Sequence, residues 1–273
     1  MVVIPCSIEN MIPKIIHLCW FSGEEYPPFI KRCIGTWKEF LPDYRIKVWD
    51  SNSFDFDSVP FVREAYKARK WAFVADYIRL YALYTEGGIY MDSDVRVFRN
   101  FDKFLDCNFF TSHEINPGVY NEAEANKLDS DGRNTTDESV KGFGVQAAIM
   151  GASAGLPFLK NCLDFYNLQR FDAGRTDDLI IGLYITKQME KYGYRYVDEE
   201  QHLADDMRIY KSDIFVGNAL MLSKDSYAIH LCNGSWREHS SGIGYKIRNY
   251  YPFFYPLWRI GEKIVNKISR CCK

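Results

Sequence analysis

Apolar residues recur along this chain in two rhythms, short continuous runs and periods of three to four, which together predict strands alternating with helices. Lys14 to Trp20, KIIHLCW, is a compact apolar run behind Pro13 and ahead of the loop FSGEEYPP, and predicts a first buried strand. Pro28 suits a helix start, and Phe29, Ile30, Cys33, Ile34 and Trp37 fall on roughly one face of a helix over 29–40. Leu41-Pro42-Asp43 ends that helix before a second strand, Arg45 to Trp49. From Pro60 a second helical region carries Val62, Ala65 and Tyr66, then Trp71, Val74, Tyr77, Ile78, Tyr81 and Tyr84, and closes at Gly87-Gly88. Ile89 to Met91 follows as a third strand. Strand, helix, strand in this order opens a nucleotide-binding half-sheet, so the expected class is α/β.

Residues Asn116 to Gly142 are polar, with scarcely any core-forming side chain, and predict a long, mobile surface loop, the kind that serves as a lid where it lies on a ligand-binding edge. Gly144 to Met150 predicts a returning strand, Leu156 to Tyr166 and Leu179 to Tyr192 two helices, and Tyr227 to Leu231 a short strand. No repeat or linker divides the chain, so 1–245 reads as one domain. The tail 246–273 differs in kind. It interleaves Tyr250, Tyr251, Phe253, Phe254, Tyr255 and Trp258 with Arg248, Arg259, Lys263, Lys267, Arg270 and Lys273. Such a segment either makes peripheral contact with an anionic membrane surface or packs as a last helix with its charges solvated.

Composition narrows the class. With 273 residues, 47% hydrophobic and 26% charged, the chain can bury a full core, and its net charge of -2 gives no global field that would favour nucleic acid. The aromatic share of 16% is first of all a Tyr- and Phe-rich core. The eight cysteines form no CxxC pair and no zinc spacing, so reduced, mostly buried thiols are expected. No basic region precedes a long apolar run at the N-terminus, and no segment reaches the roughly 20 apolar residues of a membrane span. The expected location is the cytoplasm, at or near the inner face of the membrane.

The candidate chemistry begins at Asp92-Ser93-Asp94. The apolar run Ile89-Tyr90-Met91 drives a carboxylate out of a strand, where it is costly unless it meets a cation or hydrogen-bond donors. A cation held there, Mn²⁺ or Mg²⁺, would grip a diphosphate. Asp76 and Arg79 stand three apart on the preceding helix and project from one face. They are either a structural ion pair or a pair aimed at the ligand, and their position before the acidic strand favours the ligand. His230, at the end of a predicted strand, is either a satisfied core histidine or a further Mn²⁺ ligand. Asn233, Gly234, Ser235 and Trp236 then supply the makings of a loop that closes over a diphosphate.

Three segments, IPKIIHLCWFSG (Ile12 to Gly23), ADYIRLYALYTEGGIYMDSDV (Ala75 to Val95) and IHLCNGSW (Ile229 to Trp236), resemble glycosyltransferase family 32, the DxD sugar-binding transferases. Bacterial capsular and surface polysaccharide transferases belong to that family. The resemblance implies a GT-A fold, a Rossmann-like mixed sheet with helices on both faces. It also implies transfer of a hexose, with retention of configuration, from a nucleotide-diphosphate sugar to a glycan or lipid-linked acceptor. A UDP-sugar is the favoured donor. By the same resemblance Asp92 and Asp94 meet the metal, Asp94 the more directly, with His230 completing its shell. Asp76 and Arg79 match the sugar-contacting pair, and Trp20 matches an aromatic near the base. Ser93 lies within the donor-binding triplet, and Ser235 and Trp236 match the loop that reaches the diphosphate. Gln146 falls where related enzymes often place an amide near the reacting sugar.

Two rival readings follow from the same residues. IYMDSDV also fits the apolar-strand DxDx[TV] signature of haloacid dehalogenase-type phosphatases, for which Asp205-Asp206 would be the nearest second acidic motif. A glycan- or nucleotide-binding protein without turnover is the non-enzyme reading. The joint presence of Asp76, Arg79, Asp92 and Asp94 speaks against it.

Overall fold

The computed structural model describes residues 11–174, 180–232, 243–255 and 257–262. In chain order these form β1 (Ile15–Cys19), α1 (Pro28–Phe40), β2 (Arg45–Trp49), α2 (Pro60–Lys67), α3 (Trp71–Glu86), β3 (Gly88–Met91), β4 (Val95–Val97) and β5 (Phe109–Ile115). There follow α4 (Glu122–Ala125), β6 (Phe143–Val145), β7 (Ile149–Ala152), α5 (Pro157–Leu168), α6 (Ile181–Met189), β8 (Gln201–Leu203), β9 (Met207–Tyr210), β10 (Phe215–Val216), β11 (Ala228–His230) and α7 (Ile243–Tyr250).

The main sheet runs β2-β1-β3-β7-β5-β9-β8, with β6 added on β5. β1 is parallel to both β2 and β3, as a strand-helix-strand opening requires. β7 then enters antiparallel between β3 and β5, so the sheet is mixed. A smaller sheet, β10-β11-β4, carries the continuation of the acidic strand.

Side chains alternate across the main sheet and split the core in two. Tyr90, Phe109, Met150, Met207 and Ile209 face one cluster, beneath α2, α3, α5 and α6. Ile16, Leu18, Ile89, Met91, Phe110 and Ile149 face the other, which α1 and the small sheet cover. Helices therefore flank both faces, as expected of the GT-A arrangement.

Local chemistry accounts for the departures. The helical region from Pro60 is two helices, α2 and α3, broken at 68–70 where Arg69 takes φ +54. The returning strand breaks at Gln146–Ala148 because these three carbonyls turn to other donors. Gln146 O accepts from Thr111 Oγ1 at 3.0 Å, Ala147 O from Arg79 Nη1 at 2.7 Å, and Ala148 O from the Asp92 amide at 2.9 Å. Residues 116–142 are mostly irregular and surface-lying, as expected, but they are internally bonded and fastened to the body. Lys127 bridges Glu124 and Glu138, Gly132 O accepts from the Tyr196 amide, and Val140 is buried. Five described cysteines are free thiols, and Cys33, Cys107 and Cys162 are buried, as their spacing implied. No helix among the described residues is long and apolar enough to cross a membrane.

Candidate functional site

The site is built at the C-terminal edge of the parallel strands, where open α/β sheets gather ligands. Its backbone depends on the turn between α3 and β3. Gly87 caps the helix through its amide to Leu83 O at 3.0 Å, with φ +66, and Gly88 follows at φ +108. A Cβ on Gly88 would lie 2.6 Å from Ile15 O, so only glycine lets β3 approach β1 there. His17, fully buried, braces the turn. Its Nε2 meets Gly87 O at 2.7 Å while Trp49 Nε1 donates to its Nδ1 at 3.0 Å, which fixes the tautomer with the proton on Nε2. Burial lowers the His17 pKa, with the Gly87 carbonyl opposing.

β3 delivers Asp92, and a turn closed by the Val95 amide to Asp92 O at 3.0 Å carries Ser93 and Asp94 into β4. Asp92 uses its two oxygens differently. Oδ1 accepts from the Tyr90 hydroxyl at 2.6 Å and stands 3.6 Å from Arg79 Nη1, whereas Oδ2 faces His230 Nε2 at 3.7 Å. The same His230 nitrogen is 3.3 Å from Asp94 Oδ1. Antiparallel pairing of β11 with β4, His230 opposite Val95, brings this distant residue to the triplet. Asp92, Asp94 and His230 each offer one ligand atom, all within 4.8 Å of one another. Two carboxylate oxygens and an imidazole nitrogen fit Mn²⁺ by donor type, and Mg²⁺ less well for the nitrogen.

Behind this group lies Arg79. Its Nη2 meets Asp76 Oδ1 at 2.8 Å, its Nε donates to Ala75 O at 3.2 Å, and its guanidinium sits 4.5 Å over the Tyr90 ring. Asp76 and Arg79 are 7% and 5% exposed, so the pair forms a buried floor instead of a solvated surface bridge. Burial pushes the Asp76 carboxyl up to about 7, with Arg79 opposing and Asp92 adding to the rise. For His230, burial opposes charging, but Cys232 and Asp94 outweigh it and raise the pKa well above the ordinary value.

The remaining sequence candidates are spread more widely. Trp20 stands just past Cys19 at the same sheet edge, its Nε1 donating to Glu24 O at 2.7 Å and its ring edge-on to Tyr26 at 4.8 Å. With Gly23, Lys31 and Asp50 these residues line a pocket of about 400 Å³. Gln146 is 1% exposed; its Nε2 donates to Phe215 O, and its buried Oε1 has no hydrogen-bond partner among the described residues. Ser235 and Trp236 lie outside the described residues. Asp205 and Asp206 precede β9, which runs parallel to β5 and, through the two antiparallel steps at β7, in the sense of β3. They therefore sit at the opposite sheet edge from Asp92, and the phosphatase constellation is not assembled.

Two site residues were not singled out from the sequence. Tyr90 stands two positions before Asp92, the same-face spacing of a strand, which could have marked its hydroxyl as a partner. Glu114, near the end of β5, opens toward the same edge. Burial raises its carboxyl, with His230 opposing and Asp92 adding. Gly217 backs it so closely that a Cβ there would lie 2.9 Å from Glu114 Cγ.

Parts of this chain are similar to known proteins. An uncharacterised glycosyltransferase of Acanthamoeba polyphaga mimivirus is 34% identical over 110 residues, which cover 37% of this chain and 42% of that protein. An inositol phosphoceramide mannosyltransferase of Schizosaccharomyces pombe is also 34% identical over 110 residues, covering 34% of this chain and 27% of that one. The chain thus spans less than half the length of these curated relatives. Among solved structures, the PaToxG glycosyltransferase superposes with a TM-score of 0.47 at 18% identity, covering 66% of this chain and 70% of that one. Residues 27–111, which hold α3 and the acidic triplet, match the family described as the glycosyltransferase sugar-binding region containing a DXD motif.

Proposed function

We propose that the protein is a divalent-metal-dependent glycosyltransferase. It would move a hexose from a nucleotide-diphosphate sugar, a UDP-sugar by preference, to a glycan or lipid-linked oligosaccharide in surface polysaccharide synthesis. The observation that carries this reading is the split of Asp92, with Oδ1 held by Tyr90 beside Arg79 and Oδ2 turned toward Asp94 and His230. Charge supports it as well. Asp92 and Asp94 both turn an oxygen toward His230, a pairing of two carboxylates that a divalent cation would stabilise. When bound by Asp92, Asp94 and His230, such an ion would neutralise diphosphate oxygens and so favour departure of the nucleotide.

The chain's own residues do the rest. Arg79 anchors Asp92 and Asp76 together and, by its positive charge, favours the negative charge that grows on the leaving diphosphate. Asp76, desolvated and close to Arg79, would accept from a sugar hydroxyl, which a buried carboxylate needs. Trp20 and Tyr26 would flank the base, with Asp50 at the pocket wall to accept from ribose or base donors. Ser93 would donate to a phosphate oxygen, and Ser235 and Trp236 would close over the diphosphate. Retention of configuration, by front-face substitution in which the departing phosphate helps take the acceptor's proton, rests on the resemblance to family 32.

The test is hydrolysis of a panel of UDP- and GDP-sugars by the purified chain, with Mn²⁺ or with chelator. One nucleotide class should turn over with Mn²⁺ and stall without it. Turnover of a generic phosphomonoester at a comparable rate, or of no nucleotide sugar at all, would count against the proposal.

A further inference from the structure

The C-terminal segment exposes apolar bulk where a soluble domain normally hides it. Among the described residues, half of the dozen strongly exposed large hydrophobics fall between 250 and 260: Tyr250, Tyr251, Phe253, Phe254, Leu257 and Ile260. Tyr251, Phe254 and Leu257 are 63%, 64% and 66% exposed, far beyond what partial packing leaves. Scattered exposed apolar residues are ordinary, but a cluster of this kind marks an interaction site.

The other side of the segment is fixed. Asn249 and Pro252 are buried, Arg32 stacks 4.4 Å over the Tyr250 ring, and the Phe253 ring meets Phe98 at 5.1 Å. Arg96 Nη1 donates to Tyr250 O at 3.3 Å. The exposed rings are therefore presented outward by a docked scaffold. The patch also borders the candidate site, because Arg248 Nη2 donates to Cys232 O at 3.4 Å, two residues beyond His230.

Charge selects the partner. Residues 246–273 carry seven Lys and Arg against one Glu, whereas 1–245 carry 27 basic against 35 acidic residues. The chain's near-neutral total hides a basic, aromatic end on an acidic body. An anionic surface attracts the end and repels the body, whereas pairing two copies through this face would set basic segment against basic segment. Aromatic rings with basic neighbours suit the boundary of a bilayer carrying anionic lipids.

We propose that the face from Tyr250 to Ile260 docks the protein on an anionic lipid surface and sets the mouth of the candidate site at that boundary. This docking stands on the segment itself and holds whether or not the transferase reading does. The test is co-sedimentation of the full chain with phosphatidylcholine vesicles, with and without phosphatidylglycerol. Binding should be at least about tenfold stronger with phosphatidylglycerol and should fall steeply as salt is raised. The triple variant Tyr251→Ser, Phe254→Ser, Leu257→Ser should lose at least about tenfold of that binding while keeping the wild-type melting temperature, since these side chains leave the core untouched. Equal binding to both vesicle types, or undiminished binding by a folded triple variant, overturns the proposal. So does a concentration-dependent dimer, seen by light scattering, that the triple variant abolishes in a protein that binds no vesicles.

Discussion

Tyr90 and Asp94 do different work for the same carboxylate. The Tyr90 hydroxyl fixes which Asp92 oxygen turns inward, and Asp94 with His230 gives the outward oxygen its company. Tyr90→Phe should therefore cost about 1.5–3 kcal/mol of stability, the worth of a hydrogen bond to a charged acceptor, and weaken Mn²⁺ binding severalfold. Chemical denaturation and metal titration measure the two effects, and an unchanged metal affinity would detach Tyr90 from the site. Asp94→Asn keeps the shape but removes a charged ligand, so Mn²⁺ affinity should fall at least about tenfold with the fold intact. At this scale the sequence was readable where chemistry is unusual: a carboxylate leaving an apolar strand, an Asp and Arg three apart, a histidine closing a short apolar run. It hid the Ala147 carbonyl that holds Arg79 and the Tyr90 hydroxyl, because a backbone oxygen has no residue signature and a tyrosine in an apolar run reads as core.

At the scale of elements, the α3 to β3 turn carries the site. Gly88→Ala places a Cβ against Ile15 O in a left-handed backbone, so the variant should lose on the order of 1–3 kcal/mol or more and β3 should shift relative to β1. Thermal unfolding checks it, and a wild-type melting temperature would mean the turn is not constrained as described. β1, α1, β2 and α3 were legible because each is an apolar or periodic run with a proline or glycine close by in the sequence. β4, β8, β9 and β10 were not. Each is two to four residues long, too short for a period to register, and unlike β3 and β11 none leads into a candidate ligand. β5 escaped for a different reason, since Thr111, Ser112 and His113 break its apolar pattern. These polar groups are buried and satisfied, Thr111 by Ile149 O and His113 by Tyr194 and Glu199, which only the folded sheet reveals.

For the whole molecule, buried groups pull the response to acid in opposite directions: His17 and His113 cost stability as pH falls, whereas Asp76 and Glu114, whose carboxyls burial raises, add to it. Burial lowers the pKa of both His17 and His113 below 6.5 in the folded state, so protons bind the unfolded chain more readily. Stability from these groups is complete above pH 6.5 and is lost as pH falls through their folded values. His17→Gln removes one of the groups that acid works against, so between pH 7 and 5 the variant's melting temperature should fall less, or rise more, than the wild type's in a melting series. A slope unchanged by the variant would assign the acid response elsewhere. The division into an acidic body and a basic, aromatic end was legible in the sequence; that the end is docked on Phe29, Arg32 and Phe98 was not, because those contacts join segments far apart in the chain. The claim that unites these scales is that Asp92, Asp94 and His230 form a metal site that serves a nucleotide diphosphate. Thermal shift with UDP, with and without Mn²⁺, in the wild-type protein and in Asp94→Asn, tests it most directly. UDP should raise the wild-type melting temperature by roughly 5 °C or more at saturating ligand, only when Mn²⁺ is present, and should leave Asp94→Asn unmoved. Equal shifts with and without Mn²⁺, or the same metal-dependent shift in Asp94→Asn, would contradict it.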